Sequence, residues 1–226
     1  MARGLEVRRL EVFVEPGLRE KFPDIPTMVL WISGFDNSRY AGDLEGLEAT
    51  VYGEIRRRYT LDGLKDVAVF RAYRDFFWRL GIDPTKLRPS SEALVRRILM
   101  GKPLPRINPL VDAYNLASAL TGITMAAYDA SKVRGELRLT WARRGEAFKA
   151  IGRSDVMMLT GSEVVLRDDV SILSIYPYRD SEHTKTERIT REAILVTCGV
   201  PGIDVELLRE AEEAAVRFIE LLAVQH

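Results

Sequence analysis

One change of pattern constrains this chain more than any other. Up to Gly122 its apolar residues recur at helical spacing; beyond Gly122, short apolar runs rich in β-branched residues alternate with glycine turns. The first part predicts helices over residues 42–58, 62–80, 90–100 and 109–120. Asp43, Asp62, Ser90 and Asn108 are the expected caps, and Gly81, Gly101 and Gly122 the expected stops. Pro109 directly after Asn108 strengthens the last of these, because proline is pre-organised for the first helical position. The second part predicts strands over 123–128, 136–141, 163–166, 170–176 and 193–197, divided by Arg134-Gly135, Arg144-Gly145 and Thr160-Gly161. Two earlier strands are expected over 10–14 and 28–32. Asp204 opens a closing amphipathic helix with Leu208, Ala211, Ala215, Phe218 and Leu222 on one stripe.

Helices in the first half and mostly strands in the second make an α+β fold, expected as one compact unit over 1–226. At 226 residues and 46% apolar, the chain has enough material for a large core. Phe70, Tyr73 and Phe77 fall on one helix face and belong to that core.

Composition narrows the chemistry. The formal net charge is zero, so no global field steers the chain toward DNA or an acidic membrane. Arginine outnumbers lysine, which suits bidentate contacts to phosphate or carboxylate. A single Cys198 excludes an internal disulfide and any multi-cysteine zinc site, and His183 and His226 alone make a poor metal centre. No metal and no cofactor is therefore expected. Residues 1–10 lack the apolar run of a signal peptide and no stretch is long enough to span a bilayer, so the expected location is the cytoplasm.

The residues that invite a chemical reading cluster around the fourth helix. Asp112 and Asn115 lie one turn apart, above the small Ala119 and Gly122. An amide there can donate to a carbonyl and accept from an amine, whereas Asp112 can equally tie down backbone. Arg106 precedes a helix start, where anions are favoured. Asp129 ends a strand and either fixes a turn or meets a ligand. Residues 178–186 form the densest polar loop, with Arg179, Asp180, His183 and Thr184 as substrate candidates and His183 as a possible base near neutral pH. Arg71, Arg74, Arg79, Arg134, Arg138, Arg143, Arg144 and Arg153 are candidate backbone contacts for an RNA, interspersed with Glu136, Glu146 and Asp155.

Several of these residues fall into a longer order. Arg88-Pro89-Ser90 with Glu92, Ile107-Asn108, Val111-Asp112, Asn115, Gly122, Met125, Ala127-Tyr128-Asp129, Gly135, Gly145-Glu146 and an acid at Asp168 or Asp169 follow one another, with Asp180-Ser181, Thr184 and Thr186 later. From about 71 to 197 the chain resembles the editing module of the phenylalanyl-tRNA synthetase beta subunit, its paired third and fourth B domains, which also occurs as free-standing proteins. The resemblance implies a cleft for the aminoacylated 3′ end of tRNA, hydrolysis of a wrongly attached amino acid in trans, and Asn115 in the pocket. The alternative is a binding module for tRNA, another RNA or a small amino-acid-like ligand, without turnover.

Three positions depart from that family pattern. Ala126 stands where the family has a histidine, Thr197 where an acid contacts the tyrosine hydroxyl, and Ile175-Tyr176-Pro177-Tyr178 where a glycine-rich wall would be. A site discriminates by a buried polar partner only if that partner is present. The implied selectivity for tyrosine therefore does not carry over, and apart from His183 the residues name no general base.

Overall fold

The computed structural model describes residues 4–224. The outermost residues of the expected 1–226 unit, His226 among them, lie outside the described ones. Strands are β1 (Glu6–Leu10), β2 (Val12–Val14), β3 (Thr27–Ser33), β4 (Met125–Asp129), β5 (Leu137–Trp141), β6 (Ala147–Phe148), β7 (Met157–Met158), β8 (Val164–Arg167), β9 (Ile172–Ile175), β10 (Arg179–Asp180) and β11 (Glu192–Cys198). Helices are α1 (Pro16–Lys21), α2 (Leu44–Arg58), α3 (Ala68–Arg79), α4 (Ser90–Leu99), α5 (Pro109–Thr121) and α6 (Val205–Ala223).

The α+β reading holds, but the halves interleave. One antiparallel sheet runs β1-β3-β11-β4, taking two strands from the helical half. A second runs β10-β9-β8-β5-β2, with β2 parallel to β5 at one edge. The expected strand over 10–14 is two strands in different sheets, separated at Glu11, so these few residues stitch the sheets together. The β6–β7 hairpin rests on a small satellite core of Phe148, Leu159, Val165 and Ile172.

Local chemistry sets several helix ends. Asn108 Oδ1 accepts from Val111 N–H at 3.0 Å, Asp43 from Gly46 N–H at 2.9 Å, and Asp204 from Glu206 N–H at 2.9 Å. Gly122 ends α5 at φ 77°, and a Cβ there would stand 2.7 Å from Val69 Cγ1. Two expectations fail. The helix expected from Asp62 is a 3₁₀ turn over Gly63–Asp66, and α3 begins only after the extended Val67. Ser90 is not a cap either: Pro89 takes the N-cap position and Ser90 Oγ turns to Thr124 Oγ1 at 3.3 Å.

The core carries a few buried polar ties. Phe70, Tyr73 and Phe77 are fully buried, as their spacing predicts. Tyr73 Oη donates to Cys198 O at 2.6 Å and accepts from Thr124 N–H at 3.0 Å, joining α3 to the end of β11. Arg74 grips the fully buried Glu92 with two bonds of 2.8 and 2.5 Å, locking α3 to α4.

Candidate functional site

Where the two sheets meet α4 and α5, a cavity of about 270 Å³ opens. Each wall has a structural cause. Helix α5 presents Tyr114 and Asn115, and β4 presents Met125, Ala126 and Tyr128. Sheet pairing places Asp180 of β10 opposite Ser174 of β9, so both face the cavity from the second sheet. Ser90 brings the first turn of α4 to the rim, and Cys198 closes the floor from β11.

The polar groups are few. Tyr128 Oη donates to Asp180 Oδ1 at 3.0 Å across the sheet junction. Desolvation pushes the Asp180 carboxyl up to about 6, against the lowering effect of the Tyr128 bond. The same burial raises the Tyr128 phenol and the Cys198 thiol well above their ordinary values, so both stay protonated at neutral pH. Asn115 is half-buried, and its amide makes no hydrogen bond to the described residues. The first turn of α4 has no side-chain cap, which leaves N–H groups beside Ser90 without a side-chain partner. The cavity therefore holds one carboxylate, one free amide, hydroxyls and an uncapped helix start, lined otherwise by apolar and aromatic surface. Among the described residues, neither lysine nor arginine lines it.

The structure brings together Asn115, Ala126 and Asp180 from the residues singled out in sequence. It disperses the others. Asp112 turns to the loop before α5, where Oδ1 accepts from Ile107 N–H at 2.9 Å and Oδ2 from Tyr40 Oη at 2.5 Å. Arg106 pairs with Glu48 at 3.0 Å and Glu45 at 3.4 Å. Asp129 accepts from Ser131 and from Thr190 Oγ1 at 2.7 Å, fixing two turns. Arg179 points to Met157 Sδ at 3.6 Å. His183 is exposed outside the cavity, and Thr184 is fully buried with its carbonyl on Asp129 N–H at 2.9 Å. Tyr114, Tyr128, Ser174 and Tyr178 were not named as site candidates: Tyr114 reads as core on an apolar helix, Tyr128 and Ser174 sit in apolar runs that only the pairing of distant strands turns inward, and Tyr178 opens the polar loop as an aromatic beside its charged residues.

Residues 72–223 match the B3/4 domain. The chain belongs to the B3/4 domain family. The match reaches past the 71–197 stretch read from sequence and takes in α6. The phenylalanine–tRNA ligase beta subunit of Bartonella quintana (strain Toulouse) is 30% identical over 89 residues, 39% of this chain and 11% of that protein. That of Corynebacterium efficiens is 33% identical over 95 residues, 42% of this chain and 11% of that protein. The B3/4 chain thus aligns with only 11% of those relatives' length. A crystal structure of an N-terminal fragment of the Pyrococcus horikoshii phenylalanyl-tRNA synthetase beta subunit superposes with a TM-score of 0.43 at 12% identity. The superposition covers 85% of this chain and 73% of that one. Among the described residues of this B3/4 domain, no group of His, Cys, Asp and Glu is arranged to hold a metal ion, and no helix is long and apolar enough to cross a membrane.

Proposed function

We propose that this B3/4 domain acts on the aminoacylated 3′ end of tRNA, hydrolysing the ester that joins a wrongly attached amino acid to the terminal ribose. The relation to phenylalanine–tRNA ligase beta subunits supports the substrate class. One observation carries the reaction: a desolvated carboxylate, Asp180, faces the same 270 Å³ cavity as the unpartnered amide of Asn115. The volume suits a ligand of amino-acid size, slightly below the usual range of drug-sized sites.

In this reading Asp180 is the general base. It takes a proton from a water whose oxygen attacks the ester carbonyl carbon. Tyr128 holds the carboxylate in place. The Asn115 amide and the uncapped N–H groups of α4 stabilise the oxyanion that develops on the carbonyl oxygen. The tetrahedral centre then collapses: the bond from carbonyl carbon to ribose oxygen breaks, the proton passes to that oxygen, and the free amino acid leaves. The location most consistent with such a substrate is the cytoplasm.

A second reading has its own support. Among the described residues no histidine lines the cavity, and the one lining group there that titrates near neutrality is Asp180. A module that binds aminoacyl-tRNA or a small amino-acid-like ligand, with Asp180 holding the ammonium, needs nothing more. Incubating the protein with a panel of mischarged tRNAs separates the two: hydrolysis above the buffer rate supports the enzyme, and retention without turnover supports the binder.

A further inference from the structure

A second cleft, of about 330 Å³, lies away from the cavity of Asn115 and Asp180. Among the described residues its walls are Lys21, Arg79, Leu80, Trp141, Gly161 and Ser162: two cations, an indole, a hydroxyl and no acid. Some arginines of this molecule face carboxylates, as Arg57 does Glu54 and Arg138 does Asp169, and others stand without one. Among the described residues, neither Lys21 nor Arg79 forms an ion pair. Instead Lys21 Nζ stands 5.1 Å from the Trp141 ring centre and Arg79 Cζ 4.4 Å from that of Phe22. Lys21 also lies 5.8 Å from Phe22, so both charges lean on one aromatic shelf. Arg79 donates to Lys21 O at 2.8 Å, which fixes the two relative to each other. Each sits in the last turn of its helix, where a cation is favoured singly. That does not explain two like charges held together without a counter-charge.

The cleft is joined to the cavity by aromatic packing. Phe77 of α3 meets the cavity residue Tyr178 at 5.5 Å between ring centres, while its neighbour Phe76 meets Phe22 at 4.9 Å, and Phe22 meets Trp141 at 6.1 Å. One turn of α3 thus spans from one site to the other.

We propose that this cleft seats phosphodiesters of an RNA strand whose end enters the cavity. Lys21 and Arg79 meet the phosphates and Trp141 offers the adjoining flat surface, while the Ser162 hydroxyl is held by Thr160 Oγ1 at 2.7 Å. The identity of the polyanion as RNA rests on the function proposed above; the cleft's preference for phosphate does not.

The test compares wild type with Lys21→Gln/Arg79→Gln, using fluorescently labelled uncharged tRNA across a salt series. Two lost phosphate contacts lower the slope of log affinity against log salt by about 1.4–1.8. Between 50 and 200 mM salt, the variant should then lose about tenfold less affinity than wild type. Lys21→Arg/Arg79→Lys, which keeps both charges, should restore the slope. An unchanged slope in the Gln variant, or no salt-dependent tRNA binding by wild type, overturns the proposal. Hydrolysis of 3′-O-aminoacyl adenosine, which carries no phosphate, reads the cavity alone. If it persists while the slope is unchanged, the cleft falls and the hydrolase stands. If it is absent while the slope drops as expected, the hydrolase falls and the cleft stands.

Discussion

Tyr128 Oη donates to Asp180 Oδ1 at 3.0 Å, one residue in each of the two sheets, and this bond both closes the sheet junction and aims a carboxylate into the cavity. Fifty-two residues separate the pair in the chain. Desolvation leaves Asp180 titrating at about 6, where a carboxylate is a stronger base yet still mostly ionised at neutral pH.

If Asp180 is the base, kcat/KM for ester hydrolysis rises with pH through an apparent pKa near 6 and levels above it. Asp180→Asn keeps the acceptor for Tyr128 but not the base, and should lower kcat/KM about 10²–10⁴-fold with that titration gone. A pH–rate profile checks both. An unchanged profile in Asp180→Asn rejects the assignment.

The same shift has a consequence for stability. The folded state holds the Asp180 proton up to about pH 6, while the unfolded chain releases it near 3.8. The folded protein therefore binds more protons between those values, so stability from this residue is present below about 4 and is lost as pH rises to about 6. Asp180→Asn should then stabilise the protein at pH 7.5 by about 1–2 kcal/mol, less than the full shift because the side chain keeps some solvent. Thermal melts should show a Tm gain at pH 7.5 that shrinks at pH 4.

Asp112 acts by holding structure. Asp112→Ala strands Ile107 N–H and Tyr40 Oη, each of which loses its acceptor. The expected cost is about 2–4 kcal/mol, read by urea denaturation. Turnover per folded molecule should stay within twofold of wild type, since Asp112 does not line the cavity.

Arg74 tests a buried charge. Arg74→Ala leaves Glu92, which is fully buried, without its bidentate partner, at an expected cost of about 3–5 kcal/mol. Arg74→Met/Glu92→Leu should recover most of that loss, because it removes both charges and keeps volume. A double variant as unstable as the single would contradict this.

What the sequence made legible was local. Asn108, Asp204 and Gly122 do what their residue types favour, because caps and left-handed stops depend on the next few backbone groups. The aromatic stripe of α3 was legible from period alone. Asp62 misled because its good capping chemistry precedes a 3₁₀ turn that Val67 ends. Residues 10–14 misled because a pattern of apolar residues carries no mark of a switch between sheets. Within the candidate site, Asn115 stood out as a polar residue on a helix of apolar ones. Asp180 emerged only as one of several polar residues in a loop. Its difference from Arg179 and His183 lies in the pairing with Ser174 and the reach of Tyr128, both contacts between distant segments. Tyr128 itself looks like any core aromatic until its partner is known.

Asn115→Ala should reduce kcat/KM about 10²-fold with little change in the apparent pKa, because it removes an oxyanion donor and leaves the base. Single-turnover kinetics would show the loss in the chemical step. A change confined to KM would place Asn115 in binding alone.

The most direct measurement is deacylation of a panel of mischarged tRNAs by wild type and Asp180→Asn side by side at pH 7.5. The account predicts that wild type hydrolyses at least one mischarged tRNA well above the buffer rate, and that Asp180→Asn binds that tRNA equally tightly but hydrolyses it at least a hundredfold more slowly. Wild-type rates equal to buffer across the panel, or equal hydrolysis by the two proteins, would contradict it.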